Sequence, residues 1–389
     1  MKIFPALWNV IRREMGLLTG RKLFVTGILL VPIAMAAFFA SLLSEGLPVK
    51  VPAAVVDLDH STLSRKVTRN LGACEMVDVR LKAENFHQAM DAVQSGEVMG
   101  FFVIPRDFEK DATDGNGPTL SFYSNLTYYV PGTLVFKGFK TLAVTTSGAV
   151  VQTGLVNRGA SERLAGTFLQ PMTVTAHPIG NPWLNYAYYL GTSFLPGVLE
   201  LMIFLMTVYA IAHEIKTGGS RQWLLTARGD IWVAIMGKLA PQTVMFTVIG
   251  FGMNSLMFRW LHYPMNGSMA NLLLGMFLFV LACQAFAVFV CSVIPNLRLA
   301  LSVCSLSGIL AFSIAAFSFP VSAMYGGIAI FSYLLPVRWY FLIYIDQALN
   351  GIPLYYSREF YAALVAFIIP AVLCAPLLRR RAAHPVYVP

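Results

Sequence analysis

Leu23-Phe-Val-Thr-Gly-Ile-Leu-Leu-Val-Pro-Ile-Ala-Met-Ala-Ala-Phe-Phe-Ala-Ser-Leu-Leu43 carries no charge, and Arg21 and Lys22 stand immediately before it. At 1.5 Å per residue such a helix crosses roughly 30 Å, the hydrocarbon thickness of a bilayer. Pro32 in its middle predicts a local bend. No small-residue cleavage pattern follows, so 23–43 reads as a retained signal anchor. Upstream, Phe4, Leu7, Trp8, Ile11, Met15 and Leu18 recur at helical spacing, with Arg12 and Arg13 on the flank. That is the pattern of an amphipathic helix over 1–22 lying in the membrane interface. Downstream the chain turns polar over 44–184. Five more apolar stretches then follow, at 186–212, 239–258, 270–293, 299–319 and 360–378. The expected fold is an α-helical polytopic membrane protein: six transmembrane helices plus an interfacial N-terminal helix, with an α/β domain inserted after the first crossing.

Composition agrees. Of 389 residues, 57% are hydrophobic and 12% charged, against roughly 25% charged in soluble domains. The net charge of +9 does not gather on one polar domain, which excludes nucleic acid as a partner. The cations flank apolar stretches instead, as anionic lipid and the positive-inside rule require. Lys2, Arg12, Arg13, Arg21, Lys22, Lys216, Arg221, Arg228, Lys238, Arg298 and Arg379 to Arg381 fall on one side. Arg259, Arg338 and Arg358 fall on the other. Both termini are therefore expected in the cytoplasm of a bacterial cell, with the chain multi-pass in the inner membrane and the insert extracytoplasmic. A seventh crossing at 325–344 would reverse the last arginines, so 320–357 is expected to be an outer re-entrant hairpin.

Within the insert, Ala53 to Val56 and Val98 to Ile104 read as buried strands, and Val77 to Leu81 and 119–124 as further strands. Leu63 to Leu71 reads as a helix capped by Ser61 or Thr62, and Phe86 to Val93 as another. A long helix is expected from Pro131 to about Leu164. Only Cys74 of the five cysteines lies in the insert, so no disulfide forms within it. No phosphate loop, nucleophile elbow or metalloprotease motif occurs, and no catalytic or metal site is expected. Asp57 and Asp59, two apart after a strand, read as a polar strand-to-helix turn, with an acidic pair as the alternative. Asn125-Leu-Thr127 fits a glycosylation acceptor. Within the crossings Glu200 is the exception. An ionisable group there is costly unless paired or wet. It faces a substrate path or bonds a neighbouring helix through Gln284, or else it caps broken backbone after Pro196-Gly197 or contacts a second subunit. Lys238 is expected to snorkel at the edge of its span.

The strongest local signal is His213-Glu-Ile-Lys-Thr-Gly-Gly-Ser-Arg-Gln-Trp-Leu-Leu-Thr-Ala-Arg228, a charged exit, two glycines and a short amphipathic helix. This run resembles the signature after the second crossing in membrane subunits of type-2 ABC exporters. Glu214, Lys216, Gly218, Gln222, Leu224, Leu225 and Thr226 match its sense. Gly219, Arg221 and Ala227 stand where threonine, glutamate and proline are usual. The 53–64 and 96–105 patches, the entry at 185–197 and the 319–351 hairpin resemble the same family in order. The resemblance implies a non-catalytic permease, with ATP and magnesium held by a cytoplasmic ABC ATPase subunit. That subunit would dock on Glu214 to Thr226, with Trp223 in its midst, and on the N-terminal helix. It further implies a second permease subunit and, as in the drug-exporter subgroup, a periplasmic adaptor. The cargo expected is apolar or amphipathic. A membrane receptor with a ligand-binding outer domain and an ion-coupled secondary transporter are the alternative readings.

Overall fold

The computed structural model describes residues 3–385 apart from 45, 47, 48, 115, 158, 160, 162–184, 295 and 318. Two compact units divide the chain: Leu47–His177, and Met1–Gly46 together with Pro178–Pro389.

The first of these is an α/β unit. Its strands β1 (Val51–Asp57), β2 (Val77–Ala83), β3 (Gly100–Ile104) and β4 (Ser121–Ser124) form one sheet in the order β2-β1-β3-β4. β1 runs parallel to β2 and β3, with Val51 opposite Val77 and Val55 opposite Phe102, and β4 pairs antiparallel with β3 at the edge. The two-residue period of β1 divides its side chains between two cores. Val51, Ala53 and Val55 pack with Val67 and Leu71 of α3 (Thr62–Gly72) and with Val135 and Phe139 of α6 (Tyr129–Asn157). Ala54 and Val56 pack with Ala89 and Ala92 of α4 (Phe86–Gln94). Helices on both faces explain why the strands read as near-continuous apolar runs. Ser61 caps α3, accepting from Ser64 N at 3.0 Å. α6 begins at Tyr129, and the far end of the helix expected to reach 164 falls partly outside the described residues.

The other unit is helical. α1 (Ile3–Gly20) leads into α2 (Lys22–Leu42), which has one wide π-type turn at Thr26–Leu30 before Pro32. That turn accommodates the proline, which cannot donate to the preceding turn and crowds its carbonyls. The chain leaves at Gly46 and re-enters at α7 (Tyr186–Lys216), where Tyr186 N donates to Gly46 O at 2.7 Å. Exit and return are thus one place. After it come α8 (Ser220–Thr226), α9 (Ile231–Trp260), α10 (Met269–Val293) and α11 (Leu297–Ile314). A hairpin follows, α12 (Gly326–Tyr333) and α13 (Pro336–Asn350) meeting at 78°. The last element is α14 (Leu354–Ala383), broken at Phe367, where Pro370 offers no N–H to Ala366.

Seven helices among the described residues are long and apolar enough to cross a bilayer. Six are the expected crossings: α2, α7, α9, α10, α11 and α14. The seventh, one more than the six expected, is α6, whose Val135 and Phe139 pack against the sheet; the bent pair of α12 and α13 would make an eighth if it crossed as one span. α9 starts at Ile231 rather than 239, because Asp230 caps it by accepting from Trp232 N at 2.8 Å. α11 stops at Ile314, short of 319. α7 and α10 form the centre, with 72% and 61% of their most apolar windows buried, against 22% for α11 and 28% for α14. Small residues permit the closest crossings. A Cβ on Gly197 of α7 would stand 2.6 Å from the Phe312 ring of α11, and one on Gly237 of α9 would stand 2.7 Å from Val10 of α1.

Candidate functional site

One end of the helical unit is knitted from charged groups. Positions Ala6, Val10, Glu14 and Leu18 recur every four residues on α1 and are buried. Three of them are apolar, and the fourth delivers a carboxylate into the packing against α9. There Glu14 Oε2 accepts from Lys238 Nζ at 2.8 Å. Lys238 Nζ also lies 3.2 Å from Glu214 Oε1, near the end of α7, and Arg13 Nη1 donates to the same oxygen at 2.9 Å. The side chains of Glu14 and Lys238 are 1% exposed and that of Glu214 is 5% exposed. Burial pushes the Glu14 carboxyl above its usual range, and the Lys238 ammonium pulls it back down. Two anions and two cations thus meet at the junction of α1, α7 and α9, with Glu14, Glu214 and Lys238 buried and Arg13 half-buried at the edge. Such groups stay charged only while each keeps its partners.

α8 is fastened to the same place. Gly218 takes φ +79°, reversing the chain after α7. Trp223 is fully buried; its indole N–H donates to Ala234 O at 3.1 Å, and Lys238 Nζ lies 5.0 Å from its ring centre. Ser220 Oγ donates to Ala382 O at 3.0 Å, and Arg381 donates to Ser292 O. The ends of α14 and α10 therefore converge here too. Arg13, Lys238 and Arg381, assigned to one side by charge counting, do lie at one end of the bundle.

This geometry corrects several expectations. Lys238 does not snorkel. It sits two turns inside α9 and is held by two carboxylates. Glu214, Trp223 and Leu224 are buried and cannot form a docking surface. Arg221, Gln222 and Leu225 form the exposed face of α8, flanked by Thr226. Gly218 and Gly219 shape the turn, and Lys216 closes the last turn of α7. On α1, Phe4, Trp8 and Met15 stay exposed as an apolar strip with Arg12 beside them. Leu18, expected on that strip, belongs to the core. The pairing of Glu14 with Lys238 was missed, although an acid in register with Ala6 and Val10 was a visible signal of it.

Glu200 lies fourteen residues from either Tyr186 or Glu214, roughly 21 Å along α7. It is fully buried, and its Oε1 accepts from Val337 N at 3.2 Å. Pro336 opens α13, so this carboxylate caps the N-terminus of the hairpin's second helix from a neighbouring element. It does not hydrogen-bond Gln284, whose Oε1 lies 2.7 Å from Thr243 Oγ1 instead. The hairpin is anchored at its far end as well. Asn271 Nδ2 donates to Gln347 Oε1 at 2.9 Å, and Asn266 N donates to Ala348 O at 2.7 Å. In the α/β unit Asp57 is the expected turn residue, accepting from the N–H groups of Asp59 and His60 and from Ser64 Oγ. Asn125 Oδ1 accepts from Thr127 N in a local turn. Among the described residues no group of three or more acidic, histidine or cysteine side chains could hold a metal ion.

A family model described as "ABC-2 family transporter protein" matches residues 22–378. No curated protein matches the chain.

Proposed function

Because the chain belongs to the ABC-2 transporter family, multi-pass membrane permeases of ABC transporters, we propose that it is the permease subunit of an ATP-driven exporter. A separate ABC ATPase subunit binds ATP with magnesium and hydrolyses the ATP. That subunit docks on the exposed face of α8, with Arg221, Gln222 and Leu225 as its contacts, beside the interfacial helix α1. The observation that carries this reading is the charge quartet of buried Glu14, Glu214 and Lys238 with half-buried Arg13. Trp223 joins α8 to Lys238, and Lys238 joins α9 to α1 and α7. A displacement of α8 is therefore shared by two crossings and the interfacial helix rather than lost in a loop. ATP binding can shift the bundle only through such differential contacts.

The cation-rich end is the cytoplasmic one by the positive-inside rule. On this reading both termini lie in the cytoplasm, the α/β unit lies outside it and the chain sits in a bacterial inner membrane. A second permease subunit, identical or related, completes the translocation unit, and a periplasmic adaptor binds the α/β unit. The cargo is apolar or amphipathic, since the described spans are poor in charge. The test is purification of the complex with its ATPase and assay of magnesium-dependent ATP hydrolysis. Leu225→Asp is expected to reduce ATPase capture on the order of tenfold or more while the isolated chain melts as before. Undiminished capture would refute the docking assignment.

A further inference from the structure

A groove of about 480 Å³ lies between α9, α10 and α14, within the roughly 300–1,000 Å³ range of small-molecule sites. Trp232, Met236, Val244, Leu281, Val288 and Val372 form its apolar walls. It starts at the charged end, beside Trp232, and reaches Val244 twelve residues along α9, roughly 18 Å deeper. Leu281 and Val288 lie over the same depth on antiparallel α10. More than half of one hydrocarbon thickness is thus lined by three helices, with exposed Met236 and Val244 at the rim.

One polar pair interrupts the apolar wall. Gln284 is 2% exposed and its Nε2 has no hydrogen-bond partner among the described residues. The Thr243 hydroxyl has a single hydrogen, and both Leu239 O at 2.9 Å and Gln284 Oε1 at 2.7 Å lie within its reach. Turning the amide over would let Nε2 donate to Thr243 and would strand Oε1 instead. In either orientation one amide atom lacks a partner in the wall of an otherwise apolar groove. A buried amide group without a partner is costly, and a lipid acyl chain cannot supply one.

We propose that this groove binds an amphipathic small molecule drawn from the bilayer, with an apolar body and one hydroxyl or carbonyl that pairs with the Gln284 amide. Glu200 is not part of the site. The proposal rests on the membrane embedding of this unit and not on its coupling to ATP.

The test is photolabelling of the full chain in lipid nanodiscs with two probes. One is a diazirine-bearing long-chain secondary alcohol, whose hydroxyl can pair with either amide orientation. The other is the matching hydrocarbon without the hydroxyl. Mass spectrometry should place alcohol labels on 232–244, 281–288 and 368–372 well above the other lipid-facing stretches. Gln284→Leu should lower alcohol labelling there by about five- to tenfold, the loss of one buried hydrogen bond. Hydrocarbon labelling should persist in that variant and report an intact groove. Ala240→Trp, which fills the groove, should abolish labelling by both probes. Even labelling of all spans, meaning bulk lipid only, would overturn the proposal, as would alcohol labelling unchanged in Gln284→Leu. The same pattern with and without the ATPase keeps the groove distinguishable from the export reading.

Discussion

Replacing Lys238 with methionine removes one charge and almost no volume, yet it should rank among the most damaging substitutions in the helical unit. The ammonium holds Glu14 at 2.8 Å and Glu214 at 3.2 Å, with 1% of its side chain exposed. At an effective dielectric near 20, each contact is a Coulomb attraction of about 5–6 kcal/mol. Desolvation of the charges offsets much of that gain, but its cost remains when a single partner is removed. Breaking such a network typically costs about 3–5 kcal/mol. Glu14 is the group left stranded, because Arg13 keeps Glu214 at 2.9 Å but reaches Glu14 only at 3.8 Å. Removing both ends, as in Lys238→Met with Glu14→Leu, should recover most of the loss, to within about 1.5 kcal/mol of the parent. The pH dependence has a definite sign. Burial already raises the Glu14 pKa above its ordinary 4.5, and loss of Lys238 raises it further. A group with a raised folded pKa is penalised as pH climbs through that pKa and freed of the penalty below its unfolded value. The deficit of Lys238→Met should therefore be large at pH 8 and shrink on acidification toward pH 4.5. Unfolding of the detergent-solubilised full chain, followed by tryptophan fluorescence at several pH values, measures this directly. A single variant as stable as the parent, or a double variant no better than the single, would refute the reasoning.

Other substitutions separate packing from docking. Trp223→Asp should destabilise the helical unit by about 3–5 kcal/mol, since it empties a filled site and buries a charge, whereas Leu225→Asp should leave the melt unchanged. Glu200→Gln retains an oxygen for Val337 N and should be mild. Glu200→Leu should cost about 1–3 kcal/mol and raise thiol labelling of a cysteine placed at Leu334. Gly237→Val would drive a methyl group into Val10; a loss of about 1–3 kcal/mol and faster tryptic cleavage after Arg12 and Arg13 are expected. Asp57→Ala removes the acceptor of two backbone N–H groups and the Ser64 hydroxyl, and should lower the melting of the α/β unit by a similar amount.

The crossings could be read before any coordinates because the bilayer imposes length and apolarity on a single helix, with no need to know its neighbours. The same holds for the local devices. Ser61 before an apolar run and Asp57 at the end of a strand act over a few residues, and the structure puts each to its expected local use. The hairpin at 326–350 was inferred from charge sidedness, a global rule that needs only counting. α6 is also long and apolar enough to cross, and there length and hydropathy do not separate a crossing from a helix that packs Val135 and Phe139 on a sheet.

By itself the sequence determined which segments are apolar enough to cross a membrane, which segment forms an α/β unit and which cations share one end of the bundle. Only the tertiary structure decided which side chains are available there. The helix of 220–226, Ser-Arg-Gln-Trp-Leu-Leu-Thr, sets three apolar residues side by side, and periodicity cannot say which of them is covered and which is left for a partner. Packing against Lys238 and Ala234 buries Trp223 and leaves Leu225 outside. Glu14 and Lys238 stand 224 residues apart, and no local pattern reveals that each is the other's counter-charge. Their meeting depends on the close approach of α1 to Gly237, a property of the assembled helices rather than of either segment.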